Sequence, residues 1–232
     1  TARMNSEPTI LTLPQYEAAT GRLVDRGLRL DPFLNATPNH DRSRLEVSTV
    51  HGACLWIPTA LWNALGGFPE WFHMLAEDLY LCCAARVRGT KIMVAAGSGY
   101  RHHIGYSLGG GKAQGNRLVT TTRRRALSER NKTFVMVICY PGASMWILFS
   151  LHLLLLLIEG LVLSVMRPKQ PVLQDIYLSV FRSVWEQRSR LRHYRTTIKS
   201  SRRISAFRFF SSFTPFPQKL LLLLRHGFPK IR

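Results

Sequence analysis

The chain has 232 residues, 46% of them hydrophobic, and carries 32 Lys and Arg against 13 Asp and Glu, a formal charge of +19. That excess points to an anionic partner: nucleic acid, phospholipid headgroups or phosphorylated substrates. The four cysteines show no CxxC spacing and two are adjacent (Cys82, Cys83), which excludes a CxxC zinc site, argues against a disulfide ladder, and reads as reduced, mostly buried thiols in a cytosol-facing protein.

Residues 1–50 are polar and punctuated by Pro8, Pro14, Gly21, Gly27, Pro32 and Pro38. Short extended pieces, "TILTL" and "RLEVSTV", sit between loops, and few residues here are expected to nucleate a core. The opening at Thr1, in loop-like sequence with no signal peptide and no methionine, reads as the remainder of something longer. "VHGACLWI" is short and apolar and predicts a buried strand. "PTALWNALGGF" predicts a helix, with Pro58 suited to its first position and Gly66-Gly67 to its stop. "AEDLYLCCAARVRG" predicts a second helix. Glu77 and Asp78 complement its N-terminal dipole and Gly89 supplies a left-handed cap. "TKIMVAA" reads as another strand, followed by a loop rich in glycine and histidine, "GSGYRHHIGYSLGGGKAQGN". This order of strands and helices points to an α/β domain.

From Phe134 the composition turns apolar. "MWILFSLHLLLLLIEGLVLSV", residues 145–165, is long enough as a helix to cross about 30 Å of hydrocarbon, and its leucines leave no polar face. His152 and Glu159 interrupt it, and Pro141-Gly142 breaks the shorter apolar run before it. Basic residues stand on both flanks, so the positive-inside rule selects no orientation and leaves room for a re-entrant or interfacial helix. From Arg182 to Arg232 there are thirteen basic residues and one acid, Glu186, a net +12. Arginine alternates there with aromatic residues, a pattern that suits stacking on RNA bases. Beside an apolar segment, adsorption to anionic lipid is the simpler reading, worth about 1 kcal/mol per basic residue near the surface.

Three constellations could carry chemistry. "GGGKA" fails as a phosphate-binding P-loop, because Tyr106 stands at the first glycine position and Ala113 at the metal-binding hydroxyl. His102-His103 lies one strand beyond the carboxylates. Glu77-Asp78 heads a helix, where a carboxylate facing a cleft can take a proton from a substrate hydroxyl.

Taken in order, "GACLWIPTALWNALGGFPEWFHMLAEDLYLCCAARVRG", "RHHIGYS" and the Arg130-Asn131 pair resemble the C-terminal half of family 2 inverting glycosyltransferases, the bacterial rhamnosyltransferase-like group, from about Val50 to Asn131. The resemblance implies a GT-A-like α/β fold, a nucleotide-sugar donor, a glycan or glycolipid acceptor of the cell envelope, and a divalent metal, Mg or Mn. It makes Asp78 the general base, with Glu77 as the alternative, and sets Gly52, Ala53 and Arg130 among the substrate-binding residues. By its five-residue spacing to Ser107, His102 matches the histidine that helps hold the metal and diphosphate. The chain departs from the pattern in two places: no Asp-x-Asp occurs in it, and Tyr80 stands where the second acid after Asp78 belongs. The expected organisation is an acceptor-side catalytic part over 1–132, a membrane-embedded segment over 133–166 and a basic amphipathic tail over 167–232. The enzyme would sit on the cytoplasmic membrane, catalytic part toward the cytoplasm, with anionic lipids as partners and no nucleic acid.

Overall fold

The computed structural model describes residues 8–103, 112–114 and 117–232, with the backbone alone for 112–114 and 117–118. It is a mixed α and β structure. The N-terminal region folds into β1 (Thr9–Thr12), β2 (Gln15–Glu17), β3 (Leu23–Asp25), β4 (Leu28–Leu30) and β5 (Ala36–Pro38). After α1 (Thr59–Leu65) and α2 (Glu77–Val87) come β6 (Lys91–Val94), β7 (Tyr100–His102), β8 (Lys112–Gln114) and β9 (Arg117–Thr120). β1 pairs in parallel with β6, and β2 pairs antiparallel with β3 and parallel with β7. Parallel pairs joined over such distances need long crossovers, and α1 and α2 supply this one.

Helices make up the second half. α3 (Thr122–Cys139) and α4 (Ala143–Met166) form an antiparallel hairpin turned at Tyr140-Gly142. A π-helical segment, Leu173–Leu178, runs into α5 (Ser179–Glu186), followed by α6 (Arg188–Ser200), α7 (Ala206–Phe210) and α8 (Gln218–His226). A last short strand, β10 (Lys230–Ile231), pairs in parallel with β9, which itself pairs with β8. The chain terminus thereby returns to the start of α3, where the Thr122 N–H donates to the Arg232 carbonyl at 3.0 Å.

One core unites the two halves. Ile10, Leu30, Val47, Phe72, Leu81, Ile92, Phe134 and Met136 are buried together with Leu191, Ile198 and Phe209 of the basic tail. Polar contacts reinforce the junction. Arg86, 3% exposed, donates to the Phe209 carbonyl, and Arg29 donates to that of Phe213.

Several expectations from the sequence are corrected here. Residues 8–50 contribute Ile10, Leu28, Leu30, Phe33, Leu34, Val47 and Val50 to the interior, so this proline-punctuated segment does build core. "RLEVSTV" makes only isolated bridges, Glu46 to Met93 and Thr49 to Leu28. "VHGACLWI" is not a buried strand: residues 51–55 turn at the surface, and a single bridge joins Trp56, 53% exposed, to Leu11. The glycine–histidine loop contains β7 and β8; residues 104–111, with Tyr106, Ser107 and the triple glycine, lie outside the described residues. Both helices before β6 form as expected, with Gly66 and Gly89 at positive φ behind them, although Pro58 caps α1 rather than opening it. α3 runs unbroken through residues 132 and 133.

Candidate functional site

The approach to α2 is strained. His73, Leu75 and Ala76 all take positive φ (63°, 70° and 64°), conformations that side chains with a Cβ rarely adopt and that surrounding contacts must enforce. Asn131, fully buried on α3, supplies them. Its Nδ2 donates to the carbonyls of Phe72 (3.0 Å), Met74 (3.0 Å) and Leu75 (2.7 Å), and its Oδ1 accepts from Arg130 Nε at 3.0 Å. Arg130 adds a second bond to the Phe72 carbonyl at 2.9 Å and lies over the Phe134 ring. The Arg130-Asn131 pair thus acts as a clamp that sets where Glu77 and Asp78 emerge. Arg130, expected to bind substrate, uses these two donors inside the fold.

Asp78 faces the turn at residues 51–55. Its Oδ2 accepts from the Gly52 N–H at 2.9 Å and its Oδ1 from the Leu79 N–H at 2.7 Å. A Cβ at Gly52 would sit 3.6 Å from that of Asp78, an ordinary contact, so Gly52 contributes its N–H rather than the lack of a side chain. The structure therefore brings Asp78 and Gly52 together, with Gly52 and Ala53 exposed beside them. Glu77 behaves differently. Burial, helped by the neighbouring Asp78 charge and opposed by a backbone hydrogen bond, raises its pKa, and among the described residues its Oε2 has no hydrogen-bond partner. The two adjacent carboxyls thus stand in unequal settings: Asp78 accepts two backbone N–H bonds, while Glu77 is half-buried and less acidic than usual.

Three further residues join the site that the sequence reading passed over. His51 Nε2 lies 3.2 Å from Asp25 Oδ2, and Asp25, 2% exposed, also accepts from the Gly27 N–H at 2.9 Å. Burial alone would lower the pKa of His51. The hydrogen bond and charge of Asp25, with the charge of Asp78, outweigh it and raise the value. Tyr100 donates to Gln15 Oε1 at 2.6 Å; burial first, then the charges of Asp25, Cys54 and Asp78, raises its pKa. Asp25 and His51 are 26 residues apart and belong to no motif. Only His51, next to Gly52, carried any signal.

His102 ends β7, opposite Glu17 of β2, two residues along the strand from Tyr100 and on the same face, with its ring centroid 6.4 Å from that of Tyr100. It borders the site, while His103 is exposed beyond the strand. Among the described residues no group of three His, Cys, Asp or Glu side chains could hold a metal ion. The four cysteines are free, and Cys82, Cys83 and Cys139 are buried.

The apolar segment forms one helix long and apolar enough to cross a membrane, Ala143–Met166. Its two polar interruptions face the protein. His152 Nε2 donates to Thr133 Oγ1 at 2.9 Å, since the Thr133 hydroxyl hydrogen is already given to the Glu129 carbonyl. Glu159 accepts from Arg125 and, at 2.9 Å, from Lys219. Lys219 also pairs with Glu129 at 2.8 Å, and Glu129 with Lys132 at 3.0 Å. Burial works against the charge of Glu129, yet Lys132, Lys219 and Arg125 outweigh it and hold the carboxyl well below the usual range.

No protein-family model, no curated protein and no solved structure matches the chain.

Proposed function

We propose that this chain is the acceptor-side part of a membrane-associated family 2 glycosyltransferase of the bacterial rhamnosyltransferase-like group, with a GT-A-like fold. It would transfer a sugar from a nucleotide-sugar donor to a cell-surface polysaccharide or glycolipid acceptor at the cytoplasmic membrane. The observation that carries the reading is the coupling of the two motif pieces. Arg130-Asn131 clamps the strained turn from which Glu77-Asp78 emerges, and Asp78 then meets Gly52 at the head of its own stretch. Residues that share a motif order but are far apart in sequence converge on one carboxylate.

In this reading Asp78 removes the proton from the acceptor hydroxyl. The N–H groups of Gly52 and Leu79 hold its carboxylate in a fixed orientation. Glu77, kept less acidic, is the alternative. Gly52 and Ala53 line the acceptor side, and Arg130 acts on substrate indirectly through the clamp. A divalent ion, Mg or Mn, would neutralise the donor diphosphate, with His102 the residue of this chain at hand to meet it. The described residues form no metal cage by themselves. Nucleic acid is the weaker partner: Phe209 and Phe213 are buried and Tyr194 packs on Trp71 and Tyr80, while exposed Trp185, Phe207 and Phe216 accompany an exposed apolar helix face, a combination that suits lipid better than bases.

A second reading is a membrane-binding remnant without catalysis, favoured by Tyr80 standing where the resemblance places a second acid. One experiment separates the two. Membranes from cells expressing the chain joined to its donor-binding part are assayed with a panel of labelled nucleotide sugars and extracted envelope lipids. Transfer that falls about 10²–10⁴-fold in Asp78→Asn, with folding unchanged, supports the enzyme. No transfer by the wild type, or equal transfer by the variant, removes it.

A further inference from the structure

We infer that α4 lies in the plane of an anionic membrane surface instead of crossing the bilayer; the inference rests on the membrane part of the reading above. The helix is two-faced despite its composition. Met145, His152, Leu156, Gly160 and Leu163 are buried against the protein. Gly160 is packed so closely that a Cβ would come within 2.9 Å of the Tyr177 ring. The opposite face exposes Trp146 (66%), Ile147, Leu154, Ile158, Leu161 and Val165 (83%), with no charged residue among its exposed positions. Twenty-four residues at about 1.5 Å each make this an apolar strip roughly 36 Å long, larger than soluble proteins leave uncovered without a partner.

Both ends of that strip are tied to the same folded body. At the first end, Tyr140 donates from its hydroxyl to the Pro32 carbonyl, and Arg195 of α6 donates to the carbonyls of Val137 and Tyr140. At the other, Arg167 donates to the carbonyls of Pro229 and Ile231, beside β10 and the start of α3. Between them α3 runs antiparallel along α4, with Thr133 at His152 and Arg125 at Glu159. If α4 spanned the bilayer, α3 would enter it with Arg123, Arg124, Arg125, Glu129, Arg130 and Lys132, six charged residues of a kind that hydrocarbon disfavours. An in-plane helix avoids this. Its polar partners stay on the protein side and its apolar face enters the headgroup–acyl boundary.

Charge selects the occupant. Exposed Lys199 and Arg202 border the Gly142 end, and exposed Lys169, Lys230 and Arg232 cluster at the Arg167 end. A basic rim at both ends suits anionic headgroups, and a chain of net charge +19 repels a second copy of itself.

The test uses the full chain with phosphatidylcholine vesicles, with and without phosphatidylglycerol. Flotation with the anionic vesicles is expected, together with labelling of both Ala143→Cys and Gln170→Cys by a membrane-impermeant maleimide added outside, mapped by peptide mass. Leu154→Glu combined with Ile158→Glu is expected to weaken flotation about tenfold or more, with a wild-type circular-dichroism melt showing that the fold survives. Flotation with one end protected from label overturns the in-plane placement and leaves membrane association standing. A variant that floats like the wild type also overturns it. A wild type that never floats, or that buries the face in a dimer dispersed by the same double substitution, removes both this inference and the membrane part of the functional reading.

Discussion

Asn131 illustrates how one side chain governs the site without touching a substrate. Its two amide hydrogens are shared among three carbonyls of a segment held at unfavourable φ, so its removal strands buried acceptors and releases the strain at once. Asn131→Ala is expected to cost about 3 kcal/mol in denaturant-monitored unfolding, and to raise hydrogen exchange at residues 73–78 before it affects the sheets. Unchanged exchange there would show that the turn holds itself. His51 offers a test by pH. Because its pKa is raised in the folded state, the Asp25 pairing adds stability that is fully present below the unfolded value of 6.5 and is lost as pH rises through the folded value. The gap in unfolding free energy between wild type and His51→Gln should therefore narrow as pH goes from 5.5 to 9 (about that range), modestly, since the side chain is 39% exposed. Asp25→Asn should remove that narrowing, since burial is then opposed by the charge of Asp78 alone, and a gap that widens with pH when Asp25 is present would contradict the pairing.

At the scale of elements, the α3–α4 hairpin is stitched by charge through its middle. Glu129 and Glu159 share Lys219, which arrives from α8, sixty residues beyond Glu159. Removing one member of a buried ion network leaves its partners' charges uncompensated, at about 3–5 kcal/mol for a fully buried pair. Lys219 keeps 32% of its side chain in solvent, so Lys219→Met should cost less, about 2 kcal/mol, read as a lowered midpoint in thermal unfolding. A midpoint within error of wild type would mean that Lys132 and Arg125 suffice. The network also accounts for His152 and Glu159 inside an apolar helix. They look like defects in a membrane span and are instead the contacts that orient its other face.

For the molecule as a whole, the tail is structural. Leu191, Ile198, Phe209 and Phe213 complete the core that Ile10, Phe72 and Leu81 begin, and Arg86 and Arg29 are satisfied by tail carbonyls. Cutting the chain before Phe134 would remove more than an anchor. The remaining domain would expose the faces that residues 134–139 of α3, α6 and α7 cover, and Arg86 would lose its acceptor at Phe209. Such a truncation is expected to yield an aggregated or molten fragment, with no cooperative melt by circular dichroism and no monomer by size exclusion. A soluble, cooperatively folding 1–133 fragment would show that the two halves are independent.

What the residues alone determined is local or compositional. The helix from Glu77, its glycine stop, the strand at "TKIMVAA" and the apolar helix after Pro141-Gly142 all follow from propensity, capping and hydropathy, which act within a few residues. The acidic pair and Gly52 were legible as candidates because they lie in an ordered motif. Tertiary structure decided the rest. "VHGACLWI" has the composition of a buried strand, yet it turns at the surface because the neighbour that pairs with β1 along its length is β6, and the N–H of Gly52 goes to Asp78. Asp25 reaches His51, and Asn131 reaches residues 72–75, across 26 and 56 or more positions of chain. Such pairings depend on where packing brings the backbone, and no local pattern encodes that. The same holds for α4. Its sequence is apolar on every side, and only its attachment to α3 and β10 makes one face interior and the other free.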